Sequence, residues 1–126
     1  MKKTIIICFI FLLTIFFTIF STFDCKNKIN KITEKTKTIE INLNKKNLDF
    51  LLKETNELSS IWHKYEKSFK IYLKRKNLES MGRKITNLKQ NIKFLKIYDS
   101  KKTLNQINKI CNEIINETKP IISNIL

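Results

Sequence analysis

Residues 48–73 read LDFLLKETNELSSIWHKYEKSFKIYL. Within it large apolar and aromatic side chains recur at Leu48, Leu51, Leu58, Trp62, Tyr65, Phe69 and Tyr72, with Thr55 filling the one gap. Steps of three and four residues bring all of these to one side of an α-helix, as the a and d positions of a heptad pattern do. The same spacing recurs in three other segments. Before this stretch it runs Ile29, Ile32, Thr36, Ile39, Leu43; after it, Leu78, Met81, Ile85, Leu88, Ile92, Leu95; and finally Leu104, Ile107, Cys111, Ile114, Thr118. Each helix has one apolar face to bury, and short connections make neighbours antiparallel. The chain therefore reads as all-α, with an N-terminal transmembrane helix followed by an antiparallel up-down bundle of three to four helices.

The breaks between the runs are Asn44–Asn47 and Lys74–Asn77. Asn77 is expected to cap the helix opening at Leu78, and Asp99 or Ser100 to cap the last one, because each can accept a bond from a first-turn amide. Pro120, which has no amide proton, is expected to end or kink the last helix near Thr118. The first run is threonine-rich at Thr33, Thr36 and Thr38, with Ile41 off its seam, and is expected to continue from the membrane segment as a stalk. Gly82 falls inside the third helix at a cost of about 1 kcal/mol relative to Ala, which fits a close helix crossing or simple drift.

Composition removes several function classes. The 126 residues hold one Gly, one Pro and one His, and no Ala or Val. A single glycine cannot build a phosphate-binding loop, a dinucleotide-binding loop or a nucleophile elbow, and the scarcity of turn residues leaves no sheet of hairpins. A hydrophobic share of 42% argues against disorder. The net charge of +14 invites a nucleic-acid partner. However, Lys, Ile, Asn and Phe are over-used together, which fits A/T-rich coding rather than selection for charge. The lysines are also spread along the chain, so a solvated surface is the simpler reading and no nucleic acid is expected.

From Thr4 to Phe23 the chain carries no charge: TIIICFIFLLTIFFTIFSTF. Twenty helical residues span about 30 Å, the hydrocarbon thickness of a bilayer. A cleaved signal peptide has a shorter apolar core and a small-residue site. Here the stretch is longer and no Ala-x-Ala exists, although cleavage after Ser21, giving a secreted basic helical protein, is an alternative. Asp24 before Cys25 argues against a lipoprotein, which needs a small residue there. An uncleaved anchor over 1–23, with a bundle domain over 24–126, is the favoured division. Lys2 and Lys3 precede the span, while Lys26, Lys28 and Lys31 follow it, diluted by Asp24 and Glu34. The very short N-terminal tail favours N-inside, C-outside, placing the body outside the cell membrane.

The stretch Trp62-His-Lys-Tyr-Glu-Lys-Ser-Phe-Lys-Ile-Tyr-Leu73, continued through Leu78, Ile85 and Leu88, resembles the domain-of-unknown-function 4363 family of small, membrane-anchored helical bacterial proteins. The resemblance also covers the layout of a short basic tail, one apolar segment and a compact helical array. It implies the anchor and the fold but no activity. Where the family pattern carries a His after the long helix, Arg75 stands here, which argues against a site at that turn.

Candidate chemistry is sparse. Trp62, Tyr65, Phe69, Leu78, Ile85, Leu88 and Cys111 are expected in the core, with the Trp62 N–H needing a partner. His63 beside the seam has neither the cysteine or acid spacing of a metal site nor a triad to serve. Cys25 at the membrane surface and Cys111 could pair if the body is exported, but an up-down bundle sets Cys111 about 10 Å above the membrane-side end, so a buried thiol is favoured. After Phe23 the body carries 23 basic and 11 acidic residues, a charge of +12. Lys26, Lys28, Lys31, Arg75, Lys76, Arg83 and Lys84 are the candidate contacts to an anionic surface, whether lipid or wall polymer; Lys89, Lys93 and Lys96 add to the basic third helix. No aromatic interleaving on that face suggests base stacking. The expectation is a non-enzymatic interaction or structural module without cofactor or metal, meeting the membrane and a surface or protein partner. A sensor-like bundle with a ligand pocket near Trp62 is the alternative.

Overall fold

The computed structural model describes the backbone of residues 1–71 and 73–125, and the side chains of those residues up to Glu117. Four α-helices follow in order: α1 Lys2–Asn42, α2 Leu48–Phe69, α3 Arg75–Lys93 and α4 Ile97–Ile125. Each packs on the next, and α1 also packs on α4, which closes the up-down ring.

Each seam turns inward. Ile29, Ile32, Thr36, Ile39 and Leu43 join Leu51, Thr55, Leu58, Trp62, Tyr65 and Phe69 in the buried set. Leu78, Met81, Ile85, Leu88 and Ile92 of α3 and Leu104, Ile107, Cys111 and Ile114 of α4 complete it. Leu48 is partly buried against this core. Ile41, off the seam, is exposed. Tyr72 and the side chain of Thr118 lie outside the described residues.

Several boundaries differ from the sequence expectation, each for a local reason. The first helix is not a stalk. It is one continuous helix of 41 residues, and its second half is a bundle member buried from Cys25 onward. The low propensity of its threonines is offset by apolar burial. The α2–α3 break is Lys70–Lys74 rather than Lys74–Asn77, so Lys74 is the N-cap residue and Asn77 lies in the first turn. The capping oxygen comes instead from α4: the Glu117 carboxylate accepts the Lys74 N–H at 2.8 Å and the Asn77 Nδ2–H at 2.9 Å. Likewise α4 begins at Ile97, which puts Asp99 and Ser100 inside it. Ser100 is buried and its hydroxyl has no partner. Pro120 does not end α4, whose backbone is helical to Ile125; a proline removes one bond of the ladder, and the bonds on either side suffice here.

Leu95 leaves the seam altogether. Its N–H donates to Ile92 O and that of Lys96 to Asn91 O, each at 2.9 Å, and its φ is 52°. This is the Schellman arrangement, which turns the chain through a left-handed residue and so points that side chain away from the helix face. The Asn44–Asn47 break holds. A short 3₁₀ turn, Leu43–Lys45, leads to Lys46 in the left-handed region, and Asn47 caps α2 by accepting the Phe50 N–H at 3.3 Å.

Candidate membrane and anionic-surface interface

The N-terminal half of α1 is the one helix among the described residues that is long and apolar enough to cross a membrane, a property shared by anchors and signal sequences. Its large side chains from Ile5 to Phe23 are mostly exposed, so they contribute nothing to the bundle core. Thr14, Thr18 and Thr22 each donate to the carbonyl four residues back, at 2.9, 2.9 and 3.0 Å. Such back-bonding removes the cost of a bare hydroxyl in lipid.

The junction is abrupt. Phe23 is exposed, whereas Cys25, two residues on, is 1% exposed and part of the core. No linker separates the apolar segment from the bundle, because α1 runs through both. Between them Asp24 forms an ion pair with Lys28 at 2.8 Å. Lys28 also lies 5.4 Å from the Tyr65 ring and 5.9 Å from that of Phe69. Its charge is therefore spent within the bundle, on a carboxylate and two ring faces.

That contact fixes which end of the bundle faces the apolar segment. Lys28 on α1 is level with Tyr65 and Phe69 at the end of α2, so the turn into α3 stands beside the start of the bundle. Arg75 and Lys76 come to this end with Lys26, and all three are exposed. Lys70 and Lys74, which periodicity did not single out, are exposed there too, beside the exposed Ile71. Nothing in a helical pattern distinguishes them, since the apolar spacing runs through Phe69 without marking the end of α2. Lys31, Arg83 and Lys84 lie farther along the bundle, the first two exposed and Lys84 partly buried.

A cleft of about 420 Å³ opens between the end of α2 and the start of α3, lined by Glu66, Lys70, Leu73, Arg75, Leu78 and Glu79. Two carboxylates face two cations across it, and Arg75 already bonds Glu79 at 2.8 Å. The cleft thus has no net pull on an anion, and the unbalanced charge lies on the outer face of the turn.

The expected core residues are all buried: Trp62, Tyr65, Phe69, Leu78, Ile85, Leu88 and Cys111. Trp62 is 2% exposed with its ring 5.7 Å from that of Phe69. Contrary to expectation, its N–H has no hydrogen-bond partner. It faces Gly82, where a Cβ would stand 3.7 Å from Nε1. A glycine offers no side-chain acceptor, and the Gly82 carbonyl already accepts the Thr86 hydroxyl at 3.0 Å.

Cys111 and Cys25 are not joined. The antiparallel register explains why: the Cys111 thiol lies beside Thr33, eight residues along α1 from Cys25, or about 12 Å at 1.5 Å per residue. Burial pushes the Cys111 thiol up to about 11, and the Thr33 contact opposes this only in part. His63 is exposed, with Nδ1 3.7 Å from a Glu66 oxygen. No group of three metal-ligating side chains occurs among the described residues.

No family model, curated protein or solved structure matches the chain.

Proposed function

We propose that the chain is a single-pass membrane protein, N-inside and C-outside, whose helical bundle is a non-enzymatic interaction or structural module of the cell envelope. The observation that supports this most is the junction at Phe23–Cys25, where one helix passes from an uncharged, exposed segment into a buried core without a hinge. A segment meant only for export would not need to share a helix with the body. Continuity of this kind couples the body rigidly to the bilayer.

The basic residues give the body its partner chemistry, an anionic surface or a protein that presents one. At the far end, Phe94 and Tyr98 flank the left-handed Leu95 and are largely exposed. Held away from the anchor among Lys93, Lys96, Lys101 and Lys102, they form the tip available to a protein partner. The sensor-like alternative places its ligand beside Trp62, whose ring is packed against Phe69 and Gly82; no observation favours it.

Two measurements test the reading. The intact mass of the protein recovered from membranes distinguishes the full chain from one shortened after Ser21; the full mass is expected. With a reporter Cys at Asn44, a membrane-impermeant maleimide is expected to label intact cells. Labelling only after lysis overturns the orientation.

A further inference from the structure

We infer that the α2–α3 turn is a lipid-docking element: Ile71 enters the headgroup layer while Lys70, Lys74 and Lys76 hold anionic lipid headgroups. This rests on the anchor proposed above. The core begins at Cys25, two residues beyond the end of the apolar run, a rise of about 3 Å. The headgroup layer is about 5–8 Å thick on each side. Because Lys28 Nζ reaches the Tyr65 and Phe69 rings, the end of α2 stands beside the start of the core, and the turn that carries Ile71 follows it toward the apolar segment.

The side chains at this level suit that position. Ile71 is 76% exposed, an unsupported apolar side chain that follows Lys70 directly and precedes Lys74 by three residues. Of the nearby acids, Asp24 pairs with Lys28 and Glu79 with Arg75, Glu117 caps α3, and Glu66 lies 3.7 Å from His63 Nδ1. Lys26, Lys70, Lys74 and Lys76 make no ion pair among the described residues, so their charge remains for an external anion. An apolar residue at the interface with a fringe of lysines is the pattern of membrane-surface contact. Docking would give the bundle a second attachment beside the anchor and fix its rotation about the membrane normal.

The test uses the full chain in vesicles of phosphatidylcholine with or without phosphatidylglycerol. Ile71→Trp is made on Trp62→Phe, with Tyr98→Trp on the same background as the distal reference, and circular dichroism confirms that both variants remain helical. Lipids brominated near the headgroup are expected to quench the tryptophan at 71 and leave that at 98 unquenched. Quenching at 71 is expected to grow with phosphatidylglycerol. Removing charge with Lys70→Gln and Lys74→Gln is expected to weaken that dependence by about five-fold per residue. Equal quenching at the two positions, or none at 71, in a chain that floats with the vesicles overturns the docking but not the anchor. A full-length chain that does not float overturns the anchor itself.

Discussion

The Glu117 carboxylate and the Lys74 backbone N–H, 43 residues apart in the chain, meet at 2.8 Å. A helix start normally takes its cap from its own first turn. Here α4 supplies it, and the second carboxylate oxygen takes the Asn77 amide at 2.9 Å. The negative charge sits at the positive end of the α3 dipole. One side chain thus ties the last helix to the turn nearest the apolar segment.

Glu117→Ala is expected to destabilise the protein by about 1–2 kcal/mol, since it removes a cap and an interhelical bond together. Chemical denaturation of the full chain in detergent measures this. Hydrogen exchange is expected to quicken first at the start of α3.

The one glycine and the one exposed Schellman position are mismatched. Gly82 sits inside α3, where an added Cβ meets only Trp62 Nε1 at an ordinary 3.7 Å, and Leu95 holds a φ of 52°. Gly82→Ala is expected to raise stability by about 1 kcal/mol. Leu95→Gly is expected to raise it by a similar amount, about 1 kcal/mol, by relieving the left-handed strain. The two sites share no partner among the described contacts, so thermal shifts should add.

Cys111 makes stability depend on alkaline pH. Its thiol is raised from 9.0 to about 11 by burial, so the folded state holds its proton more tightly than the unfolded chain does. The contribution is complete below 9.0 and is lost as pH rises towards about 11. Cys111→Ser is expected to flatten the stability profile over that window. In the native protein the thiol should react slowly with maleimide at neutral pH.

Lys35 of α1 stands between two carboxylates of α2, with Glu54 at 2.8 Å and Glu57 in direct contact. The contact with Glu54, then the hydrogen bond to Glu57, raises the Lys35 amine, while the bond from Lys35 lowers Glu57. For a lowered carboxyl the stabilisation is full above its unfolded value of 4.5 and fades as pH falls through the folded one. Lys35→Met is expected to leave Glu54 half-stranded, with a coupling of about 1 kcal/mol to Glu54→Gln in a double-mutant cycle. A cycle with no coupling would mean that solvent already screens the pair.

Much of this architecture was legible in the residues. The four seams identified Trp62, Met81, Cys111 and their neighbours as core, because a helix has a fixed period and water rejects apolar area. The uncharged run from Thr4 to Phe23 was equally plain. The turns were harder. Lys74 lacks a capping side chain and Leu95 is a poor left-handed residue, so neither carries the local signal of the boundary it occupies. Asn77, a good cap by type, instead bonds Glu117.

Sequence alone therefore determined the helical class, the apolar segment, the inward faces and the excess of positive charge, all of which depend on spacing and composition within a single helix. Tertiary structure decided which cations gather at the end nearest the apolar segment, that Lys28 is spent on Asp24 and two rings, and which helix supplies a cap to another. These relationships join residues distant in the chain. Their distances exist only once the antiparallel register is set by packing.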